Sequence, residues 1–172
     1  MDGFEQQLAA CSAFFIATAQ IGGGLLGLVF VAMTFDRDRR GLGRDGAMHA
    51  LAQQVYLDFL GVLVCSLLLI VPTLGRLNHG MLLLAVGGVL AVRTVRGMLA
   101  LRRELRSRPV LLQRFGLSVM GQLFFLAAGV LLVLSRVPEA FVLAMCAALA
   151  LLVAGSRSAW LLMAGDDAGP VA

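Results

Sequence analysis

The apolar residues of this chain arrive in five long runs, each close to or above the ~20 residues an α-helix needs to cross a hydrocarbon layer ~30 Å thick. A soluble domain instead lays such residues in stripes, because each of its surface elements keeps one face wet. The 172-residue chain is 60% hydrophobic and only 14% charged, which leaves too little polar surface to coat a water-soluble core. In lipid every backbone N–H and C=O must be satisfied internally, and a continuous helix does this within each run. The expectation is an all-α integral membrane bundle of five transmembrane helices, one domain over residues 1–172, with spans at about 8–35, 48–74, 81–106, 115–134 and 138–163.

Charge and proline set the ends of these spans. The first run stops at Asp36 and gives way to a charged, glycine-rich loop through Gly46. Pro72 falls near the far end of the second span, and a short turn around Gly75 to Gly80 leads into the third. Pro109 is expected to stop the third helix, whereas Pro138 followed by Glu139 makes a favourable start for the fifth. The uninterrupted apolar part of the third span, Met81 to Val92, is too short to cross alone, so Arg93 lies either at an interface or against protein. Met1 to Leu8 carries Asp2 and Glu5 and no basic residue, which argues against a cleaved leader and for a retained first helix.

All 14 basic residues are arginine, and they are unevenly placed. Arg37, Arg39, Arg40 and Arg44 follow the first span; Arg102, Arg103, Arg106, Arg108 and Arg114 lie between the third and fourth; the opposite loops carry only Arg76 and Arg136. Positive charge collects in cytoplasmic loops, so the amino terminus is expected outside and the carboxyl terminus inside. The same distribution accounts for the net charge of +4 without a nucleic-acid partner.

Close helix packing in lipid depends on small residues. Ala19, Gly23 and Gly27 repeat at four-residue spacing on the first helix, and Ala150, Ala154 and Ser158 on the fifth, so both are expected packing faces, within one bundle or between subunits. Gly22 to Gly27 satisfies the G-x-G-x-x-G pattern but follows no strand and lies within a span, so no nucleotide site is read from it. Cys11, Cys65 and Cys146 all fall in apolar runs and behave as small hydrophobes, without disulfide or zinc spacing. His49 and His79 sit at helix ends on opposite sides of the membrane, too far apart to share a metal. With no catalytic triad or paired carboxylates, the sequence supports neither an enzyme nor a cofactor.

The informative polar residues are those inside the spans. A charge within the bilayer costs at least a few kcal/mol, so each asks for a partner. At 1.5 Å per residue, Asp58 lies ~12 Å along the second helix from its cytoplasmic end, and Arg93, Arg96, Gln122 and Arg157 reach a similar height on the third, fourth and fifth helices. Asp58 is expected to pair with one of these arginines, leaving a formal excess of +2 able to hold an anion or a lipid phosphate. An Asp–Arg pair serving only packing register is the alternative. Gln53, Gln54 and Tyr56 extend this polar face inward, Thr18 and Gln20 lie nearer the bilayer centre, and Trp160 reads as an interfacial anchor.

Phe14 to Ala19 and Gly24 to Ala32 together resemble the first helix of a group of small bacterial multi-pass membrane proteins, and Gly155-Ser156-Arg157-Ser158-Ala159-Trp160 is similar to their last helix, which usually has asparagine at the position of Ser158. Some members carry the label of modulator of a membrane-bound AAA protease. The resemblance implies a multi-pass protein of the bacterial inner membrane. The +2 excess at Asp58, Arg93, Arg96 and Arg157, together with the two small-residue faces, leads to the expectation of a homo-oligomeric channel or transport-like protein with an Arg/Asp layer suited to anions. The alternatives are a regulatory or adaptor subunit for another membrane protein, or a binder of anionic membrane lipids.

Overall fold

The structure is a computed structural model that describes residues 3–40, 46–71, 75–104 and 108–164. These residues form five helices, α1 (Gly3–Arg40), α2 (Gly46–Ile70), α3 (Arg76–Glu104), α4 (Arg108–Val133) and α5 (Val137–Ala164), with no strand among them. All five contain a stretch long and apolar enough to cross a membrane: Phe4–Thr34, Ala52–Ile70, Arg76–Leu99, Gly116–Val133 and Val137–Trp160. The protein is thus an all-helical multi-pass bundle. Connections this short between consecutive helices force an up-and-down course. The carboxyl ends of α1, α3 and α5 and the amino ends of α2 and α4 lie at one end of the bundle, and the opposite ends of these helices lie at the other.

Several helix ends differ from the sequence expectation, for local reasons. Helix α1 runs from Gly3 to Arg40 and takes in Asp36 to Arg40, because a charged residue ends an apolar run without ending a helix. Helix α2 stops at Ile70, since the residue before Pro72 is disfavoured in helical geometry. Arg76 to Gly80, expected as a turn, form the first turn of α3. Pro109 does not terminate α3, which ends earlier at Glu104; it stands in the first turn of α4, where a missing N–H costs nothing, and α4 starts at Arg108 rather than about 115. Pro138 occupies the same position in α5, as expected.

Helix α2 is the hub, with α1, α3 and α5 packed around it, while α4 closes the bundle between α3 and α5. The core it shares is apolar and aromatic, built from Phe15, Val62, Leu69, Leu83, Phe125, Phe141 and Leu151. Large apolar side chains are also exposed on every helix, among them Leu28, Phe30, Leu67, Val89, Leu123, Leu149 and Val153. An outer surface of this kind suits lipid and not water.

Small residues set the close approaches, at positions only partly those expected. Ala19 is buried, Gly23 would place a Cβ in ordinary contact 3.6 Å from Leu63, and Gly27 is exposed with nothing within 4 Å. The tight contact between α1 and α2 falls at Gly22, where a Cβ would meet Val62 at 3.3 Å and the Phe59 carbonyl at 3.4 Å. On α5, Ala154 and Ser158 are buried and Ala150 is half-buried. The closest approach is at Gly155, where a Cβ would lie 2.7 Å from the ring of the buried Phe59. The four-residue spacing located the buried side of α5 and the start of the buried side of α1, but the tightest contacts fall one residue to the side, at Gly22 and Gly155.

The α4–α5 corner closes in a Schellman motif. Arg136 N–H donates to the Leu131 carbonyl at 2.9 Å and Ser135 N–H to the Leu132 carbonyl at 3.3 Å. Ser135 takes φ 66°, a left-handed conformation that glycine adopts more cheaply.

Candidate functional site

The principal buried polar cluster joins α2, α3 and α4. Asp58 on α2 is fully buried in the most buried of the five spans. One turn away on the same helix, Gln54 donates from Nε2 to Asp58 Oδ1 at 2.9 Å, and Ser118 on α4 donates from Oγ to Asp58 Oδ2 at 2.7 Å. The Gln54 amide also donates to Thr94 Oγ1 on α3 at 3.3 Å, and the same oxygen accepts from Gln122 Nε2 on α4 at 2.7 Å. Thr94 and Ser118 are fully buried, and Gln54 and Gln122 almost so. The result is one connected chain of hydrogen bonds spanning three helices, ending on a carboxyl group.

Each partner is placed by helix geometry. Gln54 and Asp58 are four residues apart and share one face of α2; Ser118 and Gln122 do the same on α4. Thr94 continues the buried stripe of α3 that also carries Leu83, Gly87 and Leu90. Packing sets the floor of the site. Phe59, the neighbour of Asp58, fits against Gly155, and Gly121, the neighbour of Gln122, lets Leu151 approach to within 2.8 Å of where a Cβ would stand.

Of the five residues expected in one polar layer, the structure brings Asp58 and Gln122 together and turns Arg93, Arg96 and Arg157 outward. The heights agree with expectation: Arg93 adjoins Thr94 in the chain, and Arg157 stands two residues beyond Gly155, which meets Phe59. The directions do not. Successive helical side chains point ~100° apart, so a buried Thr94 sends Arg93 and Arg96 outward, and a buried Ser158 does the same to Arg157. The expected Asp58–arginine pair is therefore replaced by neutral hydrogen-bond donors. The only ion pair among the described residues is Arg136 with Glu139, at 3.6 Å on the surface. The interior excess of +2 disappears with the pair that was to define it.

Sequence reasoning passed over Thr94 and Ser118. Ser118 was detectable as the residue one turn before Gln122; Thr94 carried no signal beyond its place between two arginines. The reading also missed Ser66, whose hydroxyl lies 2.9 Å from that of Thr18, a buried pair joining α1 to α2. Gln20, two residues beyond Thr18, is exposed.

Toward the amino end of α2, Gln54 carries the polar chain one turn beyond Asp58. Toward the other end the buried side chains of α2 are Val62, Cys65 and Leu69, broken only by Ser66, which is engaged with Thr18. His79 lies at that far end in the first turn of α3, buried beside the Phe4 ring with centroids 5.2 Å apart and Nδ1 3.3 Å from the Gly75 carbonyl oxygen; its Nε2 has no hydrogen-bond partner among the described residues. The side chains of His49 and of the loop arginines Arg37, Arg39, Arg40, Arg44, Arg102, Arg103, Arg106, Arg108 and Arg114 lie outside the described residues. No group of three or more potential metal ligands occurs among the described residues. The sequence matches no family model, no curated protein and no solved structure.

Proposed function

We propose that this chain is a transport-like protein of the bacterial inner membrane, amino terminus outward, whose working group is Asp58 and whose cargo is the proton. The observation that carries this reading is a fully buried carboxyl group held by Gln54 and Ser118, with no arginine against it among the described residues. An acidic group within a span that has no counter-charge is neutralised by a proton or by a bound cation, and intramembrane carboxyls of this kind mark proton and ion paths. The lining favours the proton. A hard metal cation needs oxygen lone pairs converging on it, whereas both carboxyl oxygens here face hydrogen-bond donors and the two amides turn N–H groups toward the site. The anion reading loses its motive, because the guanidinium groups that were to supply it point away from the interior.

Purified full-length protein in liposomes with an internal pH-sensitive dye tests the proposal. Imposed proton gradients should collapse through the wild type, and Asp58→Asn, which keeps the shape and much of the hydrogen bonding, should slow that collapse to the rate of empty liposomes. Equal proton flux in the two proteins, or chloride flux without proton flux, overturns the reading.

A further inference from the structure

We infer that Arg93 and Arg96 form a binding site on the outer face of α3 for the phosphate of an anionic phospholipid headgroup. Both side chains are exposed, and their three-residue spacing sets them side by side, roughly 5–6 Å apart at Cβ. Val89, Val92, Val95 and Leu99 around them are exposed as well, so this face is greasy apart from two guanidinium groups. The described carboxylates offer no counter-charge: Asp58 is buried on the other side of the helix wall, and Glu5 and Glu139 stand in the first turns of α1 and α5, at the opposite end of the bundle. Among the described residues, no carboxylate faces these two guanidinium groups.

Depth selects the partner. Arg96 lies six residues before Arg102 in the sequence, where the apolar run of α3 gives way to Arg102 and Arg103. At the same end of the bundle α5 carries Trp160, an exposed aromatic of the kind that settles among headgroups. Two guanidinium forks at that level match a phosphodiester bidentately, while the exposed valines lie along its acyl chains. A lipid with net negative charge is favoured over a zwitterionic one, whose own cation competes for the phosphate. This site is independent of the Asp58 reading.

Native mass spectrometry of the full-length protein in mild detergent, titrated with phosphatidylglycerol or phosphatidylcholine, tests the assignment. The wild type should bind phosphatidylglycerol in preference, and Arg93→Gln/Arg96→Gln should bind it roughly tenfold to thirtyfold more weakly. Arg136→Gln, at the other end, should match the wild type. Arg93→Lys/Arg96→Lys, which keeps the charge and loses the forks, should fall between them, so a fold defect in the glutamine variant is recognised. Equal affinity in wild type and glutamine variant overturns the site. So does displacement of the lipid by millimolar inorganic phosphate, which would make it a site for the free anion. Cross-linking of Val92→Cys to a second copy in membranes would put another subunit on this face and overturn it as well.

Discussion

At one height in the bundle the molecule handles charge in two opposite ways. Inside, Asp58 is held by hydroxyl and amide groups with no described arginine against it; outside, Arg93, Arg96 and Arg157 stand free of any described carboxylate. A single residue step along α3, from Arg93 to Thr94, crosses from one regime to the other. Direct pairing of these charges would have given a closed structural link with nothing left to exchange. On the reading proposed above, separation leaves two demands, one for a neutralising proton in the core and one for an anion at the surface. The two faces should therefore respond to substitution independently.

The largest expected effect is on function. Replacing all three outward arginines by glutamine should leave proton flux within about twofold of wild type, whereas Asp58→Asn should lower it by about tenfold or more. A triple arginine variant as inactive as Asp58→Asn would show that the two faces are one site. Packing comes next. Gly155→Ala forces a methyl group into the Phe59 ring and should destabilise the protein by about 1–3 kcal/mol in reversible denaturation in detergent. Gly27→Ala, on an open face, should change stability by less than about 0.5 kcal/mol. Thr94→Val keeps the shape of the side chain but removes the shared acceptor of Gln54 and Gln122, with an expected loss of about 1 kcal/mol in the same assay. Far from both faces, Ser135→Gly should relieve the left-handed corner and raise stability by up to about 1 kcal/mol.

What the sequence reveals is height, and what it conceals is direction. Five apolar runs give five helices almost by arithmetic, and counting 1.5 Å per residue puts Asp58, Gln122, Arg93 and Arg157 near one level. Whether a side chain at that level points inward depends on the rotation of its helix. These helices are apolar all round, so no polar stripe announces that rotation. Arg93 and Thr94 illustrate the difficulty: the residue with the stronger chemical signal faces out, and the one that looked inert joins the buried chain. Ser118 and Ser66 were obscured in the same way, since hydroxyl groups are unremarkable inside membrane helices until a partner stands opposite. The helix ends were legible where proline acts through its fixed geometry, as at Pro138. Pro109, expected to stop the third helix, instead stands in the first turn of α4, a position where its fixed geometry serves equally well.

Infrared difference spectroscopy across a pH titration, on wild type, Asp58→Asn and the triple arginine-to-glutamine variant in lipid nanodiscs, addresses the central claim most directly. The account predicts a reversible carboxyl band that is present in wild type, missing in Asp58→Asn and unchanged when the three arginines are gone. A band that emerges or moves only after the arginines are removed would mean that they hold the Asp58 charge after all, and would contradict it.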